Sequence, residues 1–242
     1  MINVLINGCN GKMGQVLLSQ IQANKNFNYI GGSDKDVDIY AVQQVPDVII
    51  DFSSPEATLS MLKYAEEKHI PVVIATTGFN NNQLDAIKEY SKKLPIFKSA
   101  NMSYETNLMI SLVSKLAKEL NNSDIEIVET HHNRKVDAPS GTALMIADGI
   151  NKARDNSMYY EYDRHSKRGA RNKNEIGIHS LRGGTEVGKH SVFFFGDNES
   201  LEISHTVTSR AVFANGALKA AQFIVNQPNG FYNMEDLISA SK

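Results

Sequence analysis

The N-terminal part of the chain alternates between short apolar runs and longer amphipathic stretches, as in a sheet whose strands are joined by helices. Residues 47–52 are apolar on both faces, which is typical of a parallel strand covered on both sides. Ser54 suits an N-cap, and Pro55 suits the first position of the next helix. The predicted strands are 1–7, 28–32, 47–52, 71–75 and 95–98, and the predicted helices are 15–22, 55–68 and 82–94. This order predicts a doubly wound parallel α/β sheet.

The pattern changes after Met102. A long helix, a strand and a second helix are predicted over 105–120, 124–130 and 142–153. Three strands follow at 176–182, 187–195 and 201–207, with turns at 182–184 and 196–198, which predicts a mainly antiparallel or mixed sheet. The last predicted helix is 210–226. We therefore expect two domains, one formed by 1–102 and 215–242 and an α+β domain formed by 103–214.

Composition narrows the classes of function. The chain has 242 residues and a net charge of −2, so it lacks the basic footprint of a nucleic-acid-binding protein. Cys9 is the only cysteine, which excludes a disulfide framework and a thiolate metal cluster. No apolar run approaches the ~18 residues of a membrane span, and no secretory signal is recognised, so we expect a soluble cytoplasmic protein. Residues 164–173 are basic and fit either a solvated loop or a mobile loop attracted to an anionic ligand.

Three glycines, Gly8, Gly11 and Gly14, lie between the first strand and the first helix. Such a turn lets a dinucleotide pyrophosphate approach the backbone at a helix N-terminus, although glycines also serve ordinary tight turns. Asp34 follows about 20 residues after Gly14, where an acid binds the hydroxyls of the adenosine ribose. Lys35 would instead neutralise a 2′-phosphate. The pair predicts the use of both NADH and NADPH, with an ordinary charged turn as the alternative.

Small and polar residues also follow the fourth and fifth predicted strands. They are Ala75, Thr76 and Thr77 after the fourth strand, and Ser99, Ala100, Asn101 and Met102 after the fifth. The carboxyl ends of strands in a doubly wound sheet face the ligand crevice, so hydroxyl and amide groups here are candidates to fix a nicotinamide carboxamide. Turn formation is the alternative, because Thr-Gly and Ala-Asn are ordinary turn sequences.

The segment 129–143 contains the most side chains that could take part in catalysis. His131 and His132 leave the end of a predicted strand, and adjacent side chains of a strand point to opposite faces. They therefore do not readily share one metal ion, and we expect no zinc site. A single histidine is as often a hydrogen-bonded polar residue as a catalyst, so the neighbouring residues decide its interpretation.

Those neighbours favour catalysis. Lys135 can act as an acid if desolvation lowers its pKa. Ser140, Gly141 and Thr142 present backbone N–H groups at a helix start, which suits a carboxylate. A proton donor beside a carboxylate-binding turn, in a chain with a dinucleotide-binding pattern, predicts reduction of a small anionic molecule.

The chain closely resembles the 4-hydroxy-tetrahydrodipicolinate reductases, or dihydrodipicolinate reductases, of bacterial lysine biosynthesis. The resemblance spans nearly the whole length and depends mainly on the Glu-x-His-His-x-x-Lys-x-Asp-Ala-Pro-Ser-Gly-Thr-Ala segment at 129–143. Further matches lie at 8–14, 51–53, 75–79, 182–184 and 213–216. The resemblance implies a Rossmann-like N-terminal domain, a substrate-binding domain whose sheet builds a homotetramer, and no metal.

The resemblance also implies roles for individual residues. His131 resembles the family's proton donor or acceptor, and Lys135 its proton donor. The implied substrate contacts are His132, Ser140, Gly141 and Thr142. The implied cofactor contacts are Gly8, Cys9, Asn10, Gly11, Lys12, Met13, Asp34, Lys35, Ala75, Thr76, Thr77, Ser99, Ala100, Asn101 and Met102. The implied reaction is the NAD(P)H-dependent reduction of 4-hydroxy-tetrahydrodipicolinate, or of its dehydrated form, to tetrahydrodipicolinate.

The chain departs from the family at residues 101–105, where Asn-Met-Ser-Tyr-Glu replaces the usual Asn-Phe-Ser-x-Gly. Met102 lacks an aromatic face near the cofactor, and Glu105 replaces a glycine at the hinge about which we expect the domains to close. Two rival functions remain. One is a dehydrogenase of the aspartate pathway with a linear semialdehyde substrate, and the other is a dinucleotide sensor without turnover.

Overall fold

The computed structural model describes residues 1–241 and divides the chain into two compact units. The first unit consists of Met1–Tyr104 and the segment that begins at Arg210, and the second is Glu105–Ser209. In chain order the helices and strands are β1 (Ile2–Asn7), α1 (Lys12–Gln22), β2 (Phe27–Ser33), β3 (Val48–Asp51), α2 (Pro55–Lys68), β4 (Val72–Ile74), α3 (Asn81–Ser91), β5 (Pro95–Lys98), α4 (Tyr104–Glu119), β6 (Asp124–His131), α5 (Gly141–Ala153), β7 (Tyr159–Glu161), β8 (Glu175–Arg182), β9 (Gly188–Phe195), β10 (Ser200–Val207), α6 (Ala211–Ile224), β11 (Gly230–Tyr232) and α7 (Met234–Ala240). The second unit is thus an insertion in the sequence of the first.

The first unit is built on a six-stranded sheet with the order β11-β5-β4-β3-β1-β2, in which every pairing is parallel. Helices α1 and α6 belong to the hydrophobic core on one face, and α2 and α3 to the core on the other. Val48, Ile49 and Ile50 of β3 are completely buried because both faces are covered. The predicted doubly wound α/β fold is confirmed.

The start of α2 shows how local sequence fixes an element. The Ser54 side chain accepts a hydrogen bond from the backbone N–H of Ala57, and Pro55 occupies the first turn, where no intrahelical donor is needed. Glu56 in the first turn and Lys68 in the last complement the helix dipole. The predicted bounds, 55–68, are confirmed.

The second unit contains a five-stranded mixed sheet with the order β10-β9-β6-β8-β7. β6 pairs parallel with β8 and antiparallel with β9. β7 pairs parallel with β8, and β10 antiparallel with β9. Helices α4 and α5 pack on one face and bury alternate residues of β6, such as Ile125 and Ile127. A mixed sheet is confirmed, but the turn at 182–184 does not join neighbouring strands, because β6 lies between β8 and β9.

Three short elements and the C-terminal helix escaped prediction. β7 and β11 have three residues each, and a 3-10 turn covers Ile39–Ala41. α7 begins with a capping box formed by Asn233 and Asp236. Among residues 1–241, no helix has the length and apolar character needed to cross a membrane.

Candidate active site

The glycine turn after β1 is closely packed. Gly8 has a φ of +85°, and a Cβ there would lie 2.4 Å from the carbonyl oxygen of Phe52. A Cβ on Gly14 would lie 2.2 Å from the carbonyl oxygen of Gly8. Gly11 is the N-cap of α1 and provides no side-chain capping bond. The first backbone N–H groups of α1 are therefore suited to an anion such as a pyrophosphate.

Asp34 lies just beyond the end of β2 with its carboxylate held in place. Its Oδ2 accepts a hydrogen bond from the backbone N–H of Asn10 at 2.8 Å, and its Oδ1 accepts one from the backbone N–H of Lys35 at 2.8 Å. A cavity of about 980 Å³ lies beside these residues. Gly8, Asn10, Gly11, Asp34 and Lys35 all line this cavity. Its wall also contains the apolar or aromatic side chains of Val37, Ile39, Tyr40 and Met61. A polar end and an apolar wall fit the ribose and base of a nucleotide.

Two further groups of predicted cofactor residues follow β4 and β5. Ala75–Thr77 follow β4 and Ser99–Met102 follow β5, so both segments lie at the carboxyl edge of the parallel sheet. The Thr76 Oγ1 accepts a hydrogen bond from the backbone N–H of Ser53 at 2.8 Å. The Ser99 hydroxyl donates to the carbonyl oxygen of Asn101 at 2.7 Å.

Several of these candidates have buried side chains. Cys9 packs against Gly32, and Met102 lies in the core of the first unit. Burial raises the pKa of the Cys9 thiol. Met13 packs against the same core, whereas Lys12 and Ala100 are exposed.

Asp51, at the end of β3, is a completely buried carboxylate that the sequence analysis did not single out. Asn7 Nδ2 donates to it at 2.8 Å and the Thr58 hydroxyl at 2.6 Å, and the Ser53 hydroxyl is a third donor. Burial raises its pKa, although these hydrogen bonds oppose the shift. Asp51 ties the end of β3 to β1 and to the first turns of α2. The sequence feature that could have identified Asp51 is an acidic residue at the end of an apolar strand.

The second candidate region lies between the end of β6 and the start of α5. His131 is the last residue of β6, and Ser140 is the N-cap of α5, where its hydroxyl accepts from the backbone N–H of Ala143 at 3.1 Å. Both residues bind the same carboxylate. Glu129 Oε2 lies 2.5 Å from His131 Nδ1, and Glu129 Oε1 accepts from the backbone N–H of Ser140 at 3.1 Å. The structure therefore brings the predicted proton-exchanging group and the predicted anion-binding turn together.

Lys135 and His132 occupy the turn that follows His131. Lys135 Nζ lies 2.8 Å from Asp137 Oδ1, and this ion pair holds the pKa of Asp137 below its usual range. The buried Nδ1 of His132 has no hydrogen-bond partner among residues 1–241. A Cβ on Gly141 would meet no other part of the described chain within 4 Å, so the start of α5 is sterically open. Thr142, next to it, is half-buried.

Comparison with known proteins places these two regions in a family. A model named dihydrodipicolinate reductase, N-terminus, matches residues 2–102, and one named dihydrodipicolinate reductase, C-terminus, matches residues 106–238. The chain belongs to the dihydrodipicolinate reductase family. The resemblance inferred from the sequence is confirmed.

Individual relatives agree with the family assignment. The chain is 51% identical over 247 residues to the 4-hydroxy-tetrahydrodipicolinate reductase of Caldanaerobacter subterraneus subsp. tengcongensis, with 98% of each chain covered. It is 44% identical over 256 residues to the enzyme of the same name from Clostridium tetani, covering 99% of this chain and 98% of the relative. A dipicolinate-bound dihydrodipicolinate reductase from Paenisporosarcina sp. TG-14 has a similar structure, with a TM-score of 0.80, 26% identity, and 96% and 97% of the two chains covered.

In this member of the dihydrodipicolinate reductase family, Arg182 is the main site residue that the sequence analysis missed. Its two terminal nitrogens donate to Glu129 at 2.8 and 2.6 Å, and one of them also donates to the carbonyl oxygen of Asp137 at 2.8 Å. Burial alone would raise the pKa of Glu129, but hydrogen bonds from Arg182, Ser180 and His131 outweigh it and lower the pKa to about 2. Glu129 is therefore ionised. The Arg-Gly-Gly match at 182–184 was the feature of the sequence that could have identified Arg182 as a site residue.

His190 is a second missed residue. Its Nε2 lies 3.0 Å from the Ser140 hydroxyl, and its ring centroid lies 5.2 Å from that of His131 in an edge-to-face arrangement. Burial, followed by the nearby His131, lowers the pKa of His190 to about 4. His190 is therefore neutral at pH 7 and supports the N-cap of α5.

The basic loop at 164–173 binds carboxylates of its own unit. Arg171 pairs with Asp124 at 2.8 Å and with Glu126 at 3.1 Å. Arg164 pairs with Glu126 at 2.9 Å and also with Glu175, and Lys167 pairs with Glu161. Three of its cations thus neutralise acidic groups on and beside β6, β7 and β8, which neither sequence-based interpretation anticipated.

Proposed function

We propose that this chain reduces 4-hydroxy-tetrahydrodipicolinate, or its dehydrated form dihydrodipicolinate, to tetrahydrodipicolinate with NADH or NADPH, in the diaminopimelate route to lysine. The observation that carries the proposal is the segment from Glu129 to Thr142, in which the buried Glu129 carboxylate joins the His131 imidazole to the N-terminus of α5. Relatives that are 51% and 44% identical over nearly the whole chain bear the name of this reductase.

The first unit is the proposed dinucleotide-binding domain. The tight turn after β1, the oriented Asp34 carboxylate and the adjoining cavity fit a nicotinamide dinucleotide. We assign Gly8 to Met13 to the pyrophosphate, Asp34 and Lys35 to the adenosine ribose and its 2′ substituent, and Ala75 to Thr77 with Ser99 to Met102 to the nicotinamide half. When bound, the reduced cofactor supplies a hydride to the unsaturated ring of the substrate.

The second unit is the proposed substrate-binding domain. The substrate is a cyclic dicarboxylate, and the first turn of α5 at Gly141 and Thr142, directly after the N-cap Ser140, suits one carboxylate. The open space at Gly141 allows that carboxylate to approach the backbone. The unpaired Nδ1 of His132 gives the substrate a further polar partner, since a buried ring nitrogen without a hydrogen bond is costly.

His131 and Lys135 are the proposed sources of the proton that accompanies the hydride. Lys135 is tied to Asp137 through an ion pair in which the Asp137 side chain is 60% exposed. Exposed pairs contribute about 0–1 kcal/mol, so the ammonium group can leave Asp137 for the substrate at little cost. One hydrogen then reaches the ring as hydride and one as a proton from Lys135 or His131. The hydroxylated substrate also loses its hydroxyl together with a hydrogen of the neighbouring ring carbon, as water.

We also propose that the enzyme is a homotetramer assembled through the sheet of the second unit. The face of this sheet opposite α4 and α5 carries Leu181, Phe193 and Phe195, and Leu181 and Phe195 are 53% and 43% exposed. The rings of Phe193 and Phe195 are stacked with centroids 5.7 Å apart. Exposed apolar groups on a sheet face favour association with another copy. Analytical ultracentrifugation of the wild type and Phe195→Glu tests this, since a wild type that sediments as a monomer contradicts it.

We place the enzyme in the cytoplasm. Cys9 is the only cysteine and is buried as a free thiol, as expected for a protein of a reducing compartment.

The decisive experiment follows the absorbance of NADH or NADPH with the freshly formed condensation product of pyruvate and aspartate semialdehyde. We expect rapid loss of absorbance with the cyclic product and none with either precursor alone. Turnover with the semialdehyde alone would favour the linear-substrate dehydrogenase. Binding of NADH without turnover would favour the sensor. Running both cofactors in parallel ranks them in the same experiment.

A further inference from the structure

Glu129 is a buried carboxylate that contacts both halves of the proposed site. It precedes His131 by two positions in β6, so both side chains project from the same face of the strand. Its Oε2 faces His131 Nδ1 at 2.5 Å, and its Oε1 accepts from the backbone N–H of Ser140 at 3.1 Å. Arg182 donates to both oxygens, at 2.8 and 2.6 Å. Glu129 is completely buried, so these partners take the place of water.

This arrangement fixes the tautomer of His131. An ionised carboxylate is only an acceptor, so the ring nitrogen that contacts it must carry a hydrogen. The paired guanidinium of Arg182 keeps Glu129 ionised, because a bidentate arginine favours the charged carboxylate. His131 therefore holds a hydrogen at Nδ1 throughout, and Nε2 is the ring nitrogen left to take up or release a proton.

The surroundings of Nε2 fit this assignment. A Cβ on Gly188 would lie 3.1 Å from His131 Nε2 and 3.4 Å from its Cδ2. Such a contact is tighter than ordinary van der Waals packing, so glycine at this position keeps a side chain away from Nε2. The nitrogen on the Glu129 side contacts a completely buried carboxylate, and the nitrogen on the Gly188 side faces a residue that has no side chain.

The same carboxylate also fixes the anion-binding turn. Ser140 is held through its backbone N–H by Glu129, and its hydroxyl caps α5 through Ala143 at 3.1 Å. The hydroxyl also contacts the buried Nε2 of His190 at 3.0 Å. The Glu129 carboxylate thus sets both the orientation of the His131 ring and the position of the start of α5.

The geometry points to Glu129 as the positioning residue of the reductase, which holds His131 as the Nδ1–H tautomer and couples it to the substrate-binding start of α5. The assignment of the imidazole to proton transfer rests on the proposed function, whereas the tautomer itself does not. During turnover His131 gains or loses one proton at Nε2, and its Nδ1–H remains bonded to Glu129.

The test is nitrogen NMR of the full-length protein labelled with 15N-histidine, in the solid state so that the size of an assembly does not matter. The chain has seven histidines, and the spectrum of His131→Asn identifies the His131 signals. In the resting wild type we expect the His131 Nδ1 to be protonated. In Glu129→Gln the amide can donate to Nδ1, so we expect the protonated Nδ1 signal to be lost or reduced. We also expect kcat to fall by about 100-fold or more, within the range of general acid–base catalysis, with a much smaller change in KM.

Glu126→Gln is a matched control. Glu126 lies in the same strand with its own histidine and arginine, because His179 Nε2 is 2.7 Å from it and Arg171 Nε is 3.1 Å from it. This variant should change the His179 signals but leave the His131 signals and kcat unchanged.

An unprotonated Nδ1 in wild-type His131 would overturn the inference without any variant being needed. So would a Glu129→Gln protein that keeps the protonated Nδ1 and loses less than tenfold in kcat. The NMR measurement requires no substrate, so a chain that fails to reduce the cyclic dicarboxylate but shows the expected tautomer would contradict only the proposed function.

Discussion

Replacing Gly8 by alanine should destabilise the first unit far more than the same change at Gly78. The two glycines have nearly equal φ values, +85° and +86°. A Cβ on Gly8 would lie 2.4 Å from the carbonyl oxygen and 2.8 Å from the carbonyl carbon of Phe52, whereas a Cβ on Gly78 would meet nothing within 4 Å. The pair therefore separates the cost of the backbone conformation from the cost of crowding.

The magnitudes follow from these contacts. A left-handed conformation costs an alanine about 1–2 kcal/mol, and this applies to both positions. Crowding in a packed region adds about 1–3 kcal/mol, and the upper end applies at Gly8 because its neighbours are backbone atoms that cannot rotate away. We expect Gly8→Ala to lower the free energy of unfolding by about 4 kcal/mol and Gly78→Ala by about 1 kcal/mol.

Urea unfolding followed by circular dichroism measures both losses. Binding of NADH, read directly from nicotinamide fluorescence because the chain has no tryptophan, should weaken at least tenfold in Gly8→Ala, since the turn after β1 must move. Equal destabilisation by the two variants would refute the argument that contact with Phe52, rather than φ alone, requires glycine at position 8. Unchanged NADH affinity in Gly8→Ala would refute the placement of the pyrophosphate at this turn.

Three further predictions concern charged groups. Lys135→Ala should lower kcat by about 10²–10⁴-fold without changing the Kd for NADH, as measured by steady-state kinetics and fluorescence titration. Asp34→Ala should weaken the binding of NADH by about tenfold, and should weaken NADPH binding less, because a charge-assisted hydrogen bond to the ribose is lost. Lys35→Ala should weaken the binding of NADPH alone, by about fivefold or less. The pKa of Glu129 falls from 4.5 to about 2 on folding, which corresponds to about 3 kcal/mol of stability. That stability is present above about pH 4.5 and is lost as the pH falls towards 2, so the free energy of unfolding should drop over this range in the wild type and less in Glu129→Gln.

Each of these has a clear contrary result. A loss in kcat below about tenfold would contradict the role of Lys135 as the proton donor. Equal effects of Asp34→Ala on the two cofactors would separate Asp34 from the ribose hydroxyls. Parallel acid unfolding of the wild type and Glu129→Gln would mean that Glu129 is not the group that titrates below pH 4.5.

Local sequence was sufficient for the long elements of this fold. The cap at Ser54 and the apolar run of β3 define their elements within a few residues, because both depend on neighbours in the chain. β7 and β11 differ from the equally short β4, since they lack its continuous apolar run, and each strand exists through its pairing with β8 or β5. The position of β6 between β8 and β9 was likewise not predictable from the glycine turn at 182–184, because pairing with a distant strand replaced the local hairpin.

For the candidate site, sequence supplied the reactive groups but not their supports. His131, Lys135 and Ser140 stand together in the chain and were recognised there. Arg182 and His190 are distant from them in sequence, and only the pairing of β6 with β8 and β9 brings them to Glu129 and Ser140. The basic loop was ambiguous for the same reason, because the carboxylates that bind it, such as Glu126, lie far away in the sequence.

The insertion of the second unit into the first affects the order in which the protein is made. The ribosome completes residues 105–209 as one continuous stretch, whereas the first unit still lacks α6, β11 and α7 at that time. Until then, the core of the parallel sheet lacks the buried Ala217, Ala221 and Ile224, and the outer edge of β5 lacks its partner β11. An unpaired apolar edge is a site of aggregation, so the nascent chain is most vulnerable late in synthesis. A chain that ends before α6 should therefore aggregate, because the first unit then lacks part of its core and the partner of β5.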